Sequence, residues 1–141
     1  MRKTIFPIVI QNGYDVLKYV YPTQQENVQK LIESVMTIDD ISYVILFGSS
    51  VSEFCSKDSD IDILILLDAD MKKLKNHNYR RTIAMIIYED INYSFSMDIL
   101  FNNVERFKIK ATTINIYRKI LEDGIIIYNK MWLNNRTKNV E

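Results

Sequence analysis

The 141-residue sequence contains one cysteine, three glycines and two prolines, and its 18 basic residues balance its 18 acidic ones. A single cysteine excludes an internal disulfide and a zinc site built from cysteines. A net charge of zero gives no indication of nonspecific nucleic-acid binding, which relies on an excess of positive charge. No apolar run approaches the roughly 20 residues of a membrane-spanning helix. We therefore expect a cytoplasmic protein with no membrane or specific nucleic-acid partner.

The N-terminal apolar stretch does not resemble a secretory leader. Residues 5–10 form a short run that contains Pro7 and is not followed by a small-residue cleavage site. We interpret residues 1–22 as an N-terminal arm and residues 134–141 as a polar tail. With 48% apolar and 26% charged residues, the chain is typical of a single soluble domain. We predict that this domain spans residues 1–141, with its core at about 24–130.

Helical and strand periodicities alternate through the rest of the chain. Apolar residues spaced i, i+3, i+4 and i+7 over 28–35 predict a helix. Thr23 and Glu26 have the spacing of a capping box at its start. Runs rich in β-branched and aromatic residues predict four strands. These strands cover residues 41–47, 61–67, 95–101 and 125–128.

Two further helices are predicted between these strands. One covers residues 79–88, after a polar connection at 71–78. The other begins at Thr112 or Thr113 as the N-cap and ends at Gly124 as the C-cap. With a short helix expected after residue 48, helices and strands alternate along the chain. This order predicts an α/β or α+β fold with a small mixed sheet flanked by helices.

Two aspartates lie at the start of the strand 61–67. Side chains alternate along a strand, so Asp60 and Asp62 share a face about 7 Å apart. The rest of this strand is apolar on both faces, as in a central strand that is covered on both sides. Two like charges at its rim are costly unless a cation joins them, which predicts a divalent metal site. Asp98, on the polar face of the strand 95–101, is of interest only in combination with this pair.

Gly48 stands between the strand 41–47 and a predicted helix start, where the backbone must turn tightly or approach a ligand. Ser49 and Ser50 are favourable N-cap residues, and Ser50 with Glu53 has the spacing of a capping box. Free N–H groups at a helix start attract phosphate. Glycine and serine are also common at ordinary strand-to-helix turns, so the turn alone does not decide between the two roles.

Several other chemistries are excluded by missing residues. The sequence has neither a G-x-x-x-x-G-K-[ST] nor a G-x-G-x-x-G pattern, so neither a P-loop nor a Rossmann site is indicated. Residues 58–62 open like a calcium loop, but Ile63 and Ala69 replace its required Gly and Glu. His77 is more typical of a solvated side chain than of a catalytic one. Cys55 has no nearby histidine in sequence to activate it, and we interpret it as a small packing residue.

The spacing of the glycine turn and the aspartate pair resembles a known signature. Gly48-Ser49, ten residues, and then Asp60-Ile61-Asp62 resemble the G-S-x10-D-x-D motif of the DNA polymerase beta superfamily of nucleotidyltransferases. The resemblance covers about residues 41–128, including the later strand with Asp98. The length of the chain resembles that of the minimal nucleotidyltransferases, which are stand-alone domains. Some of these are antitoxins that pair with a helical toxin of the HEPN class.

The resemblance implies a polymerase-beta-like fold and transfer of a nucleotidyl group from a nucleoside triphosphate to a hydroxyl, with release of pyrophosphate. It implies that Asp60, Asp62 and Asp98 hold two Mg²⁺ ions together with the bound triphosphate, and that Asp98 is the general base. Gly48 and Ser49 would hold the β- and γ-phosphates. The full set of nucleotide-binding residues that we predict is Gly48, Ser49, Ser50 and Lys57.

The sequence departs from the usual family pattern after Gly48-Ser49. Many members carry a small residue and an arginine there, whereas this chain has Ser50-Val51-Ser52-Glu53. One phosphate contact is therefore missing, and Lys57 is the candidate to compensate for it. Two hypotheses remain open: an active transferase that uses ATP on a protein or small-molecule hydroxyl, and an antitoxin-like or catalytically degenerate domain that binds a HEPN-type partner. In either case we expect a monomer or a homodimer.

Overall fold

The computed structural model describes residue 20, residues 24–51 and residues 60–131. Within these ranges four strands form one sheet in the order β3-β2-β1-β4. The strands are β1 (Ile41–Phe47), β2 (Ile61–Leu67), β3 (Met97–Asn102) and β4 (Ile125–Asn129). The helices are α1 (Gln25–Val35), α2 (Met71–Leu74), α3 (His77–Asp90), α4 (Val104–Lys110) and α5 (Asn115–Asp123), with a 3₁₀ turn at Gly48–Val51. None of these helices is long and apolar enough to cross a membrane.

The sheet is mixed, and its inner strands are β1 and β2. β1 pairs antiparallel with β2 and β4, whereas β2 and β3 run parallel. Neighbouring parallel strands need a crossover connection, and α2 with α3 provides it. Every residue of β2 except Asp62 is buried, because this strand is covered on both faces. The predicted mixed sheet flanked by helices, with a central strand at 61–67, is confirmed.

The helices pack in two pairs. α1 contacts α3, and the hydroxyl of Ser34 donates a hydrogen bond of 2.7 Å to Asp90. α4 contacts α5, and these two helices also contact β2 and β1 respectively. The amide of the buried Asn102, at the end of β3, donates a 3.3 Å bond to the hydroxyl of Tyr117 on α5. Each of these helix pairs is therefore joined by packing, and α5 is also joined to the sheet by a polar contact.

The structure contains two short helices that the sequence analysis did not predict. α2 lies within the predicted polar connection at 71–78, and α4 occupies residues for which no element was predicted. Each begins at a side-chain cap: Asp70 accepts from the N–H of Lys73 at 2.9 Å, and Asn103 accepts from that of Arg106 at 2.8 Å. Helices of four and seven residues are too short to establish an amphipathic period, which is the signal on which the prediction relied.

Some predicted element ends were wrong. α5 has Ile114 at its N-cap, not Thr112 or Thr113, because the Thr112 hydroxyl instead donates to the carbonyl of Ile109 at 2.7 Å. β3 begins at Met97, two residues later than predicted. Thr23, the predicted cap of the first helix, lies outside the described residues. So do the predicted polar tail and, apart from residue 20, the predicted N-terminal arm.

Gly124 lies at the predicted C-cap of α5, but for a different physical reason. Its φ is −68°, so the chain is extended there rather than left-handed. A Cβ at this position would lie 2.5 Å from the carbonyl oxygen of Ile120 and 2.7 Å from Cγ2 of Ile45. Glycine is therefore required because the end of α5 approaches β1 too closely for a side chain.

Candidate active site

The site begins where β2 and β3 start side by side. In the parallel register Asp62 lies directly opposite Asp98, and Ile61 lies opposite Met97. The carboxyl groups of Asp62 and Asp98 are within hydrogen-bonding reach of each other when one of them is protonated. Asp60 immediately precedes β2 and is exposed. The three aspartates singled out in the sequence therefore lie at the same end of the sheet, with Asp62 and Asp98 opposite each other.

The surroundings of Asp62 strongly perturb the ionisation of its carboxyl group. Its partial burial raises its pKa to about 6, and the hydrogen bond and charge of Asp98, followed by the charge of Asp60, contribute in the same direction. A carboxyl group beside two other carboxylates resists ionisation because each negative charge disfavours the next. At neutral pH this end of the sheet thus concentrates negative charge that is not balanced within the cluster.

Gly48 forms the other wall of this site. Phe47, the last residue of β1, pairs with Asp62, so the chain turns beside that aspartate. The φ of Gly48 is +73°, and a Cβ built on Gly48 would overlap with Oδ2 of Asp62. The turn therefore requires glycine twice: for its left-handed backbone and for the room that the carboxyl group occupies.

The residues directly after Gly48 form a 3₁₀ turn, which the structure describes over Gly48–Val51. Gly48 is exposed and Ser49 is half-buried at the beginning of this turn. Ser50 belongs to the same turn, whereas Lys57 lies outside the described residues. The backbone at Gly48-Ser49 is thus open to solvent next to the aspartates, where the phosphate-binding role was predicted.

A family model described as "Polymerase beta, Nucleotidyltransferase" matches residues 29–131. The match covers well over half of the chain and includes the glycine turn and all three aspartates. The chain belongs to the polymerase beta nucleotidyltransferase family. Membership confirms the resemblance seen in the sequence and supports a function of the nucleotidyltransferase type. No curated protein matches the chain.

The carboxylates of this nucleotidyltransferase domain suit a hard divalent cation in their chemistry. No three His, Cys, Asp or Glu side chains within 24–51 and 60–131 are grouped closely enough to hold a metal ion together. Asp62 and Asp98 nevertheless form a pair of oxygen donors, which are the ligands that Mg²⁺ prefers. The raised pKa of Asp62 has its origin partly in the charge of its neighbours, and a bound cation would relieve that repulsion. The donor set therefore fits magnesium.

One part of the site was not found by sequence reasoning. The carbonyl of Ser96 accepts from the N–H of Ile61 at 3.0 Å, which joins the turn before β3 to the start of β2. On the outer side of β3, the hydroxyl of Tyr88 contacts both the N–H and the carbonyl oxygen of Met97 at 3.1 Å. No spacing rule connects a helix residue to a strand edge nine positions later, so this contact is known only from the structure.

A second polar cluster lies away from the aspartates. The hydroxyl of Tyr79 donates to Asp40 at 2.7 Å, and Lys73 approaches the same carboxylate at 3.4 Å. The hydrogen bond from Tyr79 lowers the pKa of Asp40, with a smaller contribution from Lys73. This cluster has an internally balanced charge and joins α2 and α3 to the start of β1. We interpret it as a structural contact.

Proposed function

We propose that the protein is a magnesium-dependent nucleotidyltransferase that transfers a nucleoside monophosphate to a hydroxyl group and releases pyrophosphate. ATP is the expected donor, and a protein or small molecule is the expected acceptor. One observation carries the proposal: Asp62 and Asp98 lie opposite each other on parallel strands, beside a glycine whose missing side chain leaves room for the carboxyl group. The family match supports the reaction class.

In this proposal the three aspartates share the binding of metal, and Asp98 has a further role as the general base. Asp60, Asp62 and Asp98 would hold two Mg²⁺ ions together with the triphosphate. When bound, the metal would neutralise phosphate charge and make the attacking hydroxyl more acidic. Asp98 is exposed, so its carboxylate is accessible to an incoming hydroxyl and would accept its proton. The half-buried Asp62 lies with its carboxyl group against the Gly48 turn.

The Gly48 turn would bind the phosphates. The N–H groups of Gly48 and Ser49 stand at the start of the exposed turn, and backbone N–H groups in such turns bind anionic oxygen. We propose that these groups and the Ser49 hydroxyl hold the β- and γ-phosphates, with Ser50 and Lys57 as further contacts. The leaving pyrophosphate would then lie on the β1 side of the aspartates.

A second function remains a candidate because the arginine that many family members carry after Gly-Ser is absent. The apolar residues Ile109, Ile114 and Ile116, on and between α4 and α5, are also exposed. These features favour an antitoxin-like or catalytically degenerate domain that acts by binding a HEPN-type protein. The two functions are compatible if the partner is itself the acceptor.

Calorimetric binding of ATP, GTP, CTP and UTP, each with and without Mg²⁺, tests the proposal. We expect one nucleotide to bind only with the metal, and the double variant Asp60→Asn/Asp62→Asn to lose that binding. The chain offers a matched control, because Asp68 and Asp70 repeat the same spacing beyond the opposite end of β2. Asp68→Asn/Asp70→Asn makes an identical change of charge and should bind as the wild type does.

The outcomes separate the two functions. Binding that survives Asp60→Asn/Asp62→Asn would place the nucleotide elsewhere and contradict the proposed site. If the folded wild type binds none of the four nucleotides, the transferase proposal is wrong and the partner-binding function takes its place.

A further inference from the structure

The end of α3 forms a Schellman motif beside the proposed site. The N–H of Asn92 donates to the carbonyl of Glu89 at 3.0 Å, and that of Tyr93 donates to Tyr88 at 2.9 Å. These are the two hydrogen bonds that define the motif. The rings of Tyr88 and Tyr93 stack with centroids 5.8 Å apart and planes inclined by 19°. A contact between these two positions commonly accompanies the motif.

Two properties of Tyr93 are not explained by this helix ending. The motif requires a left-handed residue at Asn92, but Tyr93 is also left-handed, with φ values of 56° and 53° respectively. Left-handed backbone is unfavourable for a bulky side chain, and such outliers concentrate at functional sites. In addition, Tyr93 is 65% exposed, although one face of its ring is stacked on Tyr88. The other face of the ring is therefore open to solvent.

The position of this ring follows from the hydrogen bonds around β3. The backbone carbonyl of Ser96 points toward β2, because it accepts from the N–H of Ile61. The backbone N–H and carbonyl of Met97 point away from β2 and contact the hydroxyl of Tyr88. The stacked tyrosines thus adjoin the outer edge of β3. Across the end of the sheet the order is Gly48 directly after β1, Asp62 on β2, Asp98 on β3, and then the Tyr88–Tyr93 stack.

We propose that the open face of Tyr93 binds the acceptor, and that the acceptor carries an aromatic ring near the hydroxyl that is modified. This inference rests on the proposed function. In nucleotidyl transfer the attacking and leaving oxygens lie in line through the phosphorus. If the pyrophosphate leaves toward Gly48, the hydroxyl enters from the opposite side, past Asp98, which is the side of Tyr93.

The step balances with groups already named. The acceptor oxygen forms a bond to the α-phosphorus, and the bond from that phosphorus to the oxygen bridging to the β-phosphate breaks. Pyrophosphate leaves with the electron pair of that bond, and the hydroxyl proton passes to the carboxylate of Asp98. Tyr93 takes no part in these bond changes: it holds the ring of the acceptor so that the hydroxyl reaches the phosphorus.

Saturation-transfer NMR tests the inference without requiring turnover. The donor site is filled with Mg²⁺ and α,β-methylene-ATP, which cannot release pyrophosphate. Tyrosinamide, which has an aromatic ring and a hydroxyl, is the probe, and serinamide is the control without a ring. We expect the wild type and Tyr93→Phe to bind tyrosinamide equally, because the ring is kept. Tyr93→Leu should bind it about three- to tenfold more weakly, which is the range for one aromatic stack.

Tyr93→Gly separates the role of the ring from folding. Glycine adopts positive φ freely, which offsets the loss of the stack on Tyr88, so this variant should fold while losing probe binding. Binding of α,β-methylene-ATP should stay within about twofold in all four proteins, since stacking at this site acts on the acceptor. Equal binding of tyrosinamide by wild type and Tyr93→Gly would overturn the inference.

The remaining outcomes distinguish the inference from the proposed function. A wild type that binds the nucleotide analogue but not tyrosinamide, or that binds serinamide equally well, would refute the aromatic acceptor alone. A folded wild type that does not bind the analogue with Mg²⁺ would refute the donor site, and with it the assignment of an acceptor side.

Discussion

The charge state of Asp62 connects the stability of the protein to pH. Its pKa is raised from 3.8 to about 6 in the folded chain. The folded state therefore holds this proton more tightly than the unfolded state does, which stabilises the fold below pH 4. This contribution is lost as pH rises through 6, because the folded protein must then ionise a carboxyl group beside two others.

In a buffer with a metal chelator, we expect the free energy of unfolding to decrease between about pH 4 and pH 6 through this residue. Asp62→Asn should remove that decrease and stabilise the protein at pH 7 by about 1 kcal/mol, a value reduced for the partial exposure of the group. Urea denaturation at pH 4.5 and 7.5 measures both effects. Asp68→Asn is the control, and an identical pH dependence for the wild type and Asp62→Asn would contradict the assignment.

Gly48 offers a second test at the same scale. Gly48→Ala should destabilise the protein by roughly 2 kcal/mol, because alanine disfavours positive φ and its Cβ would displace the carboxyl group of Asp62. Asparagine tolerates the left-handed region better but still adds a Cβ. Gly48→Asn should therefore be destabilised less than Gly48→Ala, but still by a measurable amount. Chemical denaturation of the three proteins measures these free energies of unfolding. A Gly48→Asn variant as stable as the wild type would show that the carboxyl group moves aside without cost.

The sequence was informative about these residues because their local rules are strong. Alternation along a strand predicted a shared face for Asp60 and Asp62, although β2 begins at Ile61, directly after Asp60. Glycine between a strand and a helix start predicted a special backbone at residue 48, and its φ is positive. The sequence could not show that Asp62 lies opposite Asp98. That pairing depends on the register of two parallel strands with 29 residues between them, 68–96, and no local pattern fixes it.

Among the elements, β3 is the edge strand that borders the proposed site. Its outward N–H and carbonyl groups at Met97 are satisfied by the hydroxyl of Tyr88. Unpaired strand edges are exposed to pairing with other chains. The hydroxyl of Tyr88 makes the hydrogen bonds to Met97 that a neighbouring strand would otherwise make. A side chain from α3 thus fixes the start of β3 and, with it, the residue that precedes Asp98.

Tyr88→Phe tests that role. Removing the hydroxyl should destabilise the protein by about 1 kcal/mol and make the amide of Met97 exchange with solvent several-fold faster. Hydrogen exchange followed by NMR resolves this amide from its neighbours. Tyr93→Phe removes a hydroxyl from the adjacent ring and leaves the contact between Tyr88 and Met97 intact. In this variant the amide of Met97 should exchange at the wild-type rate. Equal protection in Tyr88→Phe would mean that the contact does not stabilise the edge.

The length of an element decided how well it could be predicted. The strands 41–47 and 61–67 match the structure, because each is a clear β-branched run bounded by polar residues. The helix predicted at 79–88 is present but begins at His77, after Asn76, whose side chain accepts from two N–H groups of the first turn. α2 and α4 depend on such single caps and on tertiary packing, so their sequences carry little helical signal of their own.

At the scale of the whole molecule, β2 is the most completely buried of the long strands. Leu64 is fully buried at its centre. Leu64→Ala should cost about 3 kcal/mol, because it removes packed atoms from a site with little freedom to collapse. Unfolding of Leu64→Ala followed by far-ultraviolet and by near-ultraviolet circular dichroism should show the same transition, at a lower urea concentration than for the wild type. Ile116→Ala, at an exposed position, is the control, and its free energy of unfolding should stay within about 0.5 kcal/mol of the wild-type value. Separate transitions by the two spectroscopic probes would contradict a single core.

The general architecture was predictable because alternating helical and strand patterns allow few arrangements of a small domain. Membership of the polymerase beta nucleotidyltransferase family is consistent with that architecture. The order of the strands was not predicted, since it is set by contacts between distant parts of the chain. β4, at the far end of the described core, pairs with β1 rather than with β3, its nearest preceding strand.

The pairing of β1 with β4 has a consequence for synthesis on the ribosome. β1 can pair with β2 once Leu67 has emerged, but its other edge stays open until residues 125–129 follow. At ordinary rates of translation this interval lasts on the order of seconds. During that time the nascent chain exposes one edge of a strand whose residues 44–46 are buried in the complete fold. Chains interrupted before Ile125 should therefore be the species that depends most on chaperones and aggregates most readily.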